Sequence, residues 1–250
     1  MRERRPSELA ALAPSDMHVW KARVRDHLGD ETLLGSLLGD RERARAARFF
    51  ACADRSRYII AHGLVRRLLA FYVGRDPAEL TFVEGDCGKP VLSGARSNGP
   101  LGFNISHSAD IILVAIARCA VGIDVEQWSR AFDVVNLARS MFSEAEQREL
   151  AATAPAEKRA AFFTGWTRKE AYVKATGLGF SAGLTTFDVS LDPHAAAPLL
   201  ADRRSPNARV RWVMRDVPID ADYSASVVAE RAAARLRMFD VPAGASWRLS

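Results

Sequence analysis

The sequence predicts an α+β fold built as a pseudo-dimer, two similar α/β subdomains with an active site in the cleft between them. Two observations carry this. The order of elements nearly repeats, because residues 55–117 and 156–229 each run helix, strand, strand, strand, with negligible identity between them. The chain has 250 residues, of which 48% are hydrophobic and 26% charged, enough for a sizeable core without disulfide or metal staples.

The elements follow in order. Residues 40–50 read as a short Arg-rich helix. Asp54 is placed to cap a second helix that ends at Gly74. "ELTFVEGDCGKPVL" gives a strand, a Gly-Asp turn and a second extended piece. "LGFNISHSAD" reads as a strand running into a polar loop, and "IILVAIARCAVGIDVEQ" as a hairpin turning at Arg118-Cys119. Ser143 opens "SEAE", a capping box with Glu146. A helix over 156–175 stops at Gly177. "TTFDVSL", "ARVRWVMRDV" and "YSASVVAE" read as strands, and 191–208 is the most loop-like stretch.

The net charge of +5 calls for an anionic partner: nucleic acid, a phosphorylated small molecule or an acidic protein surface. No unbroken basic tail is present, which disfavours nucleic acid. Cys52, Cys87 and Cys119 are odd in number and far apart, as ordinary thiols of a reducing compartment would be. The N-terminal apolar stretch is too short for a signal segment. The longest apolar run, 111–117, is too short to span a membrane. These features predict a cytoplasmic protein.

Five stretches could carry chemistry. In "GIDVE", Asp124 and Glu126 alternate to one face of a strand, with Cα atoms roughly 6.5 Å apart. They read either as a polar face in water or as ligands for one hard cation, since Mg²⁺ takes one or two carboxylates. In "GWTRKEAYVKATG", Phe163, Trp166, Glu170 and Val173 share one helical stripe, flanked by Lys169 and Lys174. A Glu170–Lys174 surface pair is the plain explanation. A metal ligand or base at Glu170 is the other, because an isolated buried charge is expensive. "FNISHS" offers Ser106 and His107, which point apart on a strand and so make no Ser–His pair. As a loop the segment could meet an anion or be a simple polar turn. "GDCGKP" is a common turn in which Lys89 projects a charge, and it is not a P-loop. "GFSAG" matches the hydrolase nucleophile elbow at Ser181, but a helix precedes it and strands follow, and His194 and the acidic residues after it are crowded.

"GKP", "FNISHS", "GIDVE" and "WTRKEAYVKATG", in this order, resemble the surfactin-type 4′-phosphopantetheinyl transferases. The resemblance implies a monomer that moves the phosphopantetheine arm of coenzyme A to a serine of an apo acyl or peptidyl carrier protein. Adenosine 3′,5′-bisphosphate is released. It implies a nucleotide-side subdomain over 1–122 and a metal and catalytic subdomain over 123–250. By motif position, Asp124, Glu126 and Glu170 would bind Mg²⁺, with Mn²⁺ as an alternative. Glu170 would also be the base, and Lys174 and Lys169 would act on phosphate. Gly88, Lys89 and Pro90 match the nucleotide-side turn, and Ser106 and His107 match residues near the ribose 3′-phosphate. Arg45, Arg48 and Arg57 are candidate phosphate contacts, and the role of Glu146 is open. The basic charge suits an acidic carrier surface. Competing readings are a serine hydrolase using Ser181 and a non-catalytic module binding coenzyme A or nucleic acid.

Overall fold

The computed structural model describes residues 12–85, 88–94, 101–129, 131–177, 179, 183–196 and 198–244. Ser181 and the centre of "GFSAG" lie outside them. The first half comprises β1 (Asp16–Arg23), α1 (Glu31–Ser36), α2 (Asp40–Ala46), α3 (Cys52–Val73), β2 (Phe82–Glu84), β3 (Pro90–Leu92), β4 (Gly102–Ser108) and β5 (Ile111–Ala117). The second comprises β6 (Val121–Gln127), α4 (Val134–Met141), α5 (Glu144–Ala152), α6 (Lys158–Thr176), β7 (Phe187–Val189), β8 (Leu199–Asp202), α7 (Ala208–Arg211), β9 (Trp212–Asp216) and β10 (Tyr223–Glu230). A last strand, β11 (Arg235–Asp240), returns to the first half.

Among the described residues two larger sheets, ordered β11-β1-β5-β4 and β6-β10-β9, are joined by two two-stranded ones, β2-β3 and β7-β8. Each half has the same plan: a first strand, a long helix, a small hairpin, then two strands, the last of which lies in the middle. Met17, Val19, Leu113 and Ala115 of one sheet and Ile123, Val125 and Val227 of the other form the apolar layer between the sheets. On the outer faces, α3 covers Trp20, Val114 and Ile116, while α6 packs Tyr172 and Val173 with Met214 and Val228. The order is helix, sheet, sheet, helix, and period-two alternation along each strand supplies both faces. Gly74 and Gly177 end the two long helices at φ 65° and 70°, the left-handed conformation that glycine adopts freely.

Several expectations change. The predicted hairpin of residues 111–127 does not form. β5 is buried throughout and paired on both edges, by β1 and β4, so β6 pairs with β10 in the other sheet. The expected boundary at 122/123 falls inside β6, and β11 pairs in parallel with β1 although it comes from the far end of the chain. "FNISHS" is strand throughout rather than loop. Asp54 lies inside the first turn of α3, paired with Arg57 at 2.6 Å, and Ala51 holds the capping position. "ARVR" is a helical turn, because Arg231 donates to the carbonyls of Arg209 and Val210 at 2.7 and 2.6 Å. Ser143 and Glu146 form the predicted capping box. No described helix is long and apolar enough to cross a membrane.

Candidate active site

The site lies where β6, the edge of the second sheet, meets α6 behind it and β4, the edge of the first. Gly122, Asp124 and Glu126 face α6, while Ile123 and Val125 face the core between the sheets. Gly122 makes the approach possible. A Cβ there would sit 2.2 Å from the Ala171 carbonyl oxygen and 2.3 Å from the Ala175 nitrogen. This contact brings Glu170 and Lys174 of α6 to the level of Asp124.

Asp124 is buried, and its Oδ1 accepts from Lys174 Nζ at 2.6 Å and from Ser106 Oγ at 2.9 Å. Lys174 Nζ also donates to Ser106 Oγ at 3.3 Å and to the Ile123 carbonyl at 3.2 Å. Glu126 Oε2 accepts from Ser108 Oγ at 2.9 Å, and the Trp166 side chain also donates to this carboxylate. Two buried oxygens, Asp124 Oδ2 and Glu170 Oε1, have no hydrogen-bond partner. A buried unpaired carboxylate oxygen is costly, so such atoms mark a place that something else completes.

The electrostatics agree. Burial, the Asp124 charge and, more weakly, the Glu126 charge push the Glu170 carboxyl up to about 7, against the pull of Lys174. Burial raises Glu126 too, with Asp124 adding to it. Burial also raises Asp124, opposed first by Lys174 and then by Ser106. Three acids that resist ionisation together around one ammonium group are short of positive charge.

The remaining candidates sit elsewhere. Lys169 is not at this group. Its ammonium is fully buried 2.8 Å from Glu146 Oε1 and donates to the Leu184 and Phe187 carbonyls at 2.7 and 2.9 Å. The burial of the helix explains why Lys169 is not with Glu170. α6 is buried on nearly all sides, so Phe163, Glu170 and Val173 meet different neighbours, and Lys169 points towards α5 and β7. Glu146 thereby acquires a structural place, closing the α5 cap and accepting from the Val189 N–H at 2.8 Å. Lys89 does not project. It donates to the carbonyls of Val121 and Lys174, both at 2.8 Å, tying the β2–β3 hairpin to the second half. Burial, helped by Lys174, lowers its pKa to about 8. Gly88 has φ 78° in that turn. Lys89 and Pro90 also line a cavity of about 400 Å³ with Phe103, Cys119, Thr176 and Glu230, at the Val121 end of β6.

Ser106 and His107 take opposite faces of β4, as their adjacency requires. Desolvation, then the charges of Arg57 and His62, lower the pKa of His107. Arg57 Nε donates to the Ala109 carbonyl at 2.9 Å. Arg45 lies 5.9 Å above the ring of Tyr58, and Arg48 is exposed just beyond α2. Arg57, His62 and His107 thus gather on the α3 side of β4, where the Arg57 guanidinium is the permanent charge and His62 Nδ1 lies 3.4 Å from Glu42 Oε1. Sequence reasoning missed His62 and gave Trp166, Asn104 and Ser108 no individual role, although all three lie in the stretches it singled out. The signal for the last two was Asn104, Ser106 and Ser108 at alternate positions, a polar strand face opposite Phe103, Ile105 and His107.

Among the described residues, no three His, Cys, Asp or Glu side chains converge into a ready-made metal cage. The donor set nevertheless fits a hard cation such as Mg²⁺, which needs only one or two carboxylates and completes its shell with water and phosphate oxygens. Asp124 Oδ2 and Glu170 Oε1 are the oxygens open to it.

Comparison with known proteins identifies the family. The model of the 4′-phosphopantetheinyl transferase superfamily matches residues 120–228, and that of the 4′-phosphopantetheinyl transferase N-terminal region matches 26–119. The two matches meet in the loop that carries the chain from one sheet to the other. The 4′-phosphopantetheinyl transferase HetI of Nostoc is 33% identical over 78% of this chain and 82% of its own length. A 4′-phosphopantetheinyl transferase of Bacillus subtilis is 29% identical over 80% and 86%. The transferase Sfp of Bacillus subtilis is 27% identical over 78% and 83%.

Proposed function

The chain belongs to the 4′-phosphopantetheinyl transferase superfamily and transfers phosphopantetheine to carrier proteins, and we propose that Asp124, Glu126 and Glu170 hold one Mg²⁺ against the pyrophosphate of coenzyme A during that transfer. The observation that carries the proposal is the pair of buried, unpartnered oxygens, Asp124 Oδ2 and Glu170 Oε1, beside Lys174. A divalent ion there supplies charge that offsets the pyrophosphate and the developing negative charge of the in-line displacement.

The chain's own residues do the rest. The carrier serine Oγ bonds to the phosphorus of the pantetheine phosphate, and the bond from that phosphorus to the oxygen bridging to the nucleotide breaks. Glu170 takes the serine proton, directly or through water. Lys174, partly exposed, draws the Asp124 carboxyl down against the effect of burial and stands ready to share its charge with a phosphate. Arg57, with His62 and His107 beside it as imidazole hydrogen-bonding groups, is suited to the ribose 3′-phosphate, and Arg45 and Arg48 are further candidates for it. Lys89 is committed to the seam, so Pro90 and the turn backbone are left to meet the nucleotide. Lys169 and Glu146 hold α6 and take no part in the chemistry. The net positive charge favours a carrier with an acidic face, and the reading fits a reducing, cytoplasmic setting.

The test is direct. Incubated with coenzyme A, Mg²⁺ and a panel of apo carriers, the protein adds the mass of a phosphopantetheine arm to at least one, and a chelator stops it. Asp124→Ala and Glu170→Ala remain folded and leave the carriers unmodified. Full transfer with chelator present refutes the metal reading, and an unmodified panel refutes the choice of acceptors.

A further inference from the structure

β4 and β6 are both sheet edges, and they run side by side without pairing as strands. Edge N–H groups that face a neighbouring strand rather than open water find acceptors there, those of Ile123 and Val125 in the interior and that of Gln127 at the exposed end. Here side chains provide them. The N–H of Ile123 donates to Asn104 Oδ1 at 2.8 Å, that of Val125 to Ser106 Oγ at 3.3 Å, and that of Gln127 to Ser108 Oγ at 3.0 Å. Residues 104, 106 and 108 alternate on β4, and 123, 125 and 127 alternate on β6, so the two periods match rung for rung.

A serine hydroxyl has one proton to give and two lone pairs to accept with. Because each serine accepts from a backbone N–H, its own proton is free for the carboxylate beside it. Ser106 gives its proton to Asp124 and Ser108 to Glu126, each at 2.9 Å.

We propose that Asn104, Ser106 and Ser108 form a side-chain ladder that takes the place of strand pairing between the halves and aims the Asp124 and Glu126 carboxylates. Ser108 is the positioning residue for Glu126. Closing the seam and setting the carboxylates are then one event, because the same hydroxyl does both. The positioning arm rests on the metal reading above, and the ladder itself does not.

Ser108→Ala and Ser108→Thr separate these roles. Threonine keeps the hydroxyl and suits a strand, whereas alanine removes donor and acceptor together. Amide hydrogen exchange and Mn²⁺ binding are measured on both variants and on the wild type. In Ser108→Ala, the Gln127 amide exchanges at least about tenfold faster while Ile123 stays protected. Mn²⁺ affinity falls about tenfold, as for loss of a carboxylate's outer hydrogen bond. Ser108→Thr restores both. The ladder is overturned if Gln127 exchanges at the unprotected rate in the wild type or keeps its protection in Ser108→Ala. The positioning role is overturned if protection is lost but Mn²⁺ affinity stays within twofold. A wild type that protects all three amides yet binds no Mn²⁺ sustains the ladder and overturns the metal reading instead.

Discussion

Glu170→Gln tests the electrostatic account of the site with the metal-free protein. Glu170 is 4% exposed, and its pKa stands at about 7 against an ordinary 4.5. Below 4.5 the carboxyl is neutral in both folded and unfolded chains, and the fold bears no charge penalty from it. As the pH rises from 4.5 to 7, the unfolded chain ionises first and draws the equilibrium towards itself. Above 7 both are ionised and the full penalty stands. At about 1.4 kcal/mol per pH unit, that interval amounts to about 3 kcal/mol. Glutamine matches the shape of the neutral carboxyl and never ionises. The variant is therefore about 3 kcal/mol more stable than wild type at pH 8 and equal to it at pH 4.5. Urea unfolding at pH 4.5, 6 and 8 in the presence of chelator reads the difference, and at pH 8 the melting temperature rises by roughly 6–12 °C. Mn²⁺ reverses the order by stabilising the wild type alone. A stability difference that does not change with pH, or a variant less stable than wild type at pH 8, refutes the reasoning.

Three other changes probe separate parts of the frame. Lys169→Met breaks the buried pair with Glu146 and costs about 3–5 kcal/mol in chemical denaturation. Transfer per folded molecule, scored at low temperature, stays near wild type because the ammonium lies away from Asp124. Gly122→Ala forces a methyl into the α6 backbone, so the melting temperature falls and Mn²⁺ affinity weakens even though no ligand is altered. Lys174→Met leaves Asp124 buried without its ion pair, so Asp124 takes up a proton on folding, and the loss of stability measured at pH 8 shrinks at pH 5.

The sequence disclosed those parts of the molecule whose cause is local. The capping box at Ser143, the helix ends at Gly74 and Gly177 and the alternation of Asp124 and Glu126 rest on a few neighbouring residues, and the structure has each of them. The order of motifs carried the family as well. What stayed hidden depends on distant partners. β1 and β11 support each other across nearly the whole chain, so neither segment announces itself. Lys169 and Lys174 look alike along α6, and only the positions of Glu146 and Asp124 tell the buried clamp from the site lysine. Lys89 reads as a projecting charge until Val121 and the end of α6 are seen beside it. β6 read as the hairpin mate of β5 because a turn can be recognised locally, whereas the earlier claim of β1 and β4 on the edges of β5 cannot.

The repeated plan of strand, long helix, hairpin and two strands has a further consequence. In the first half, the side chains that β1 turns towards its helix are His18, Trp20 and Ala22, and Trp20 and His18 share the hydroxyl of Tyr72. Arg67 stands as far before Gly74 as Glu170 stands before Gly177. Where the second half gathers acids, the first sets an indole, a methyl and a guanidinium. The architecture is twofold and the chemistry single: one copy of the frame is armed and its twin is blank. If Asp124, Glu126 and Glu170 hold the metal as proposed, a chain so divided saturates with one metal equivalent, and its blank copy is free to be shaped by whatever lies at the other end of the ligand.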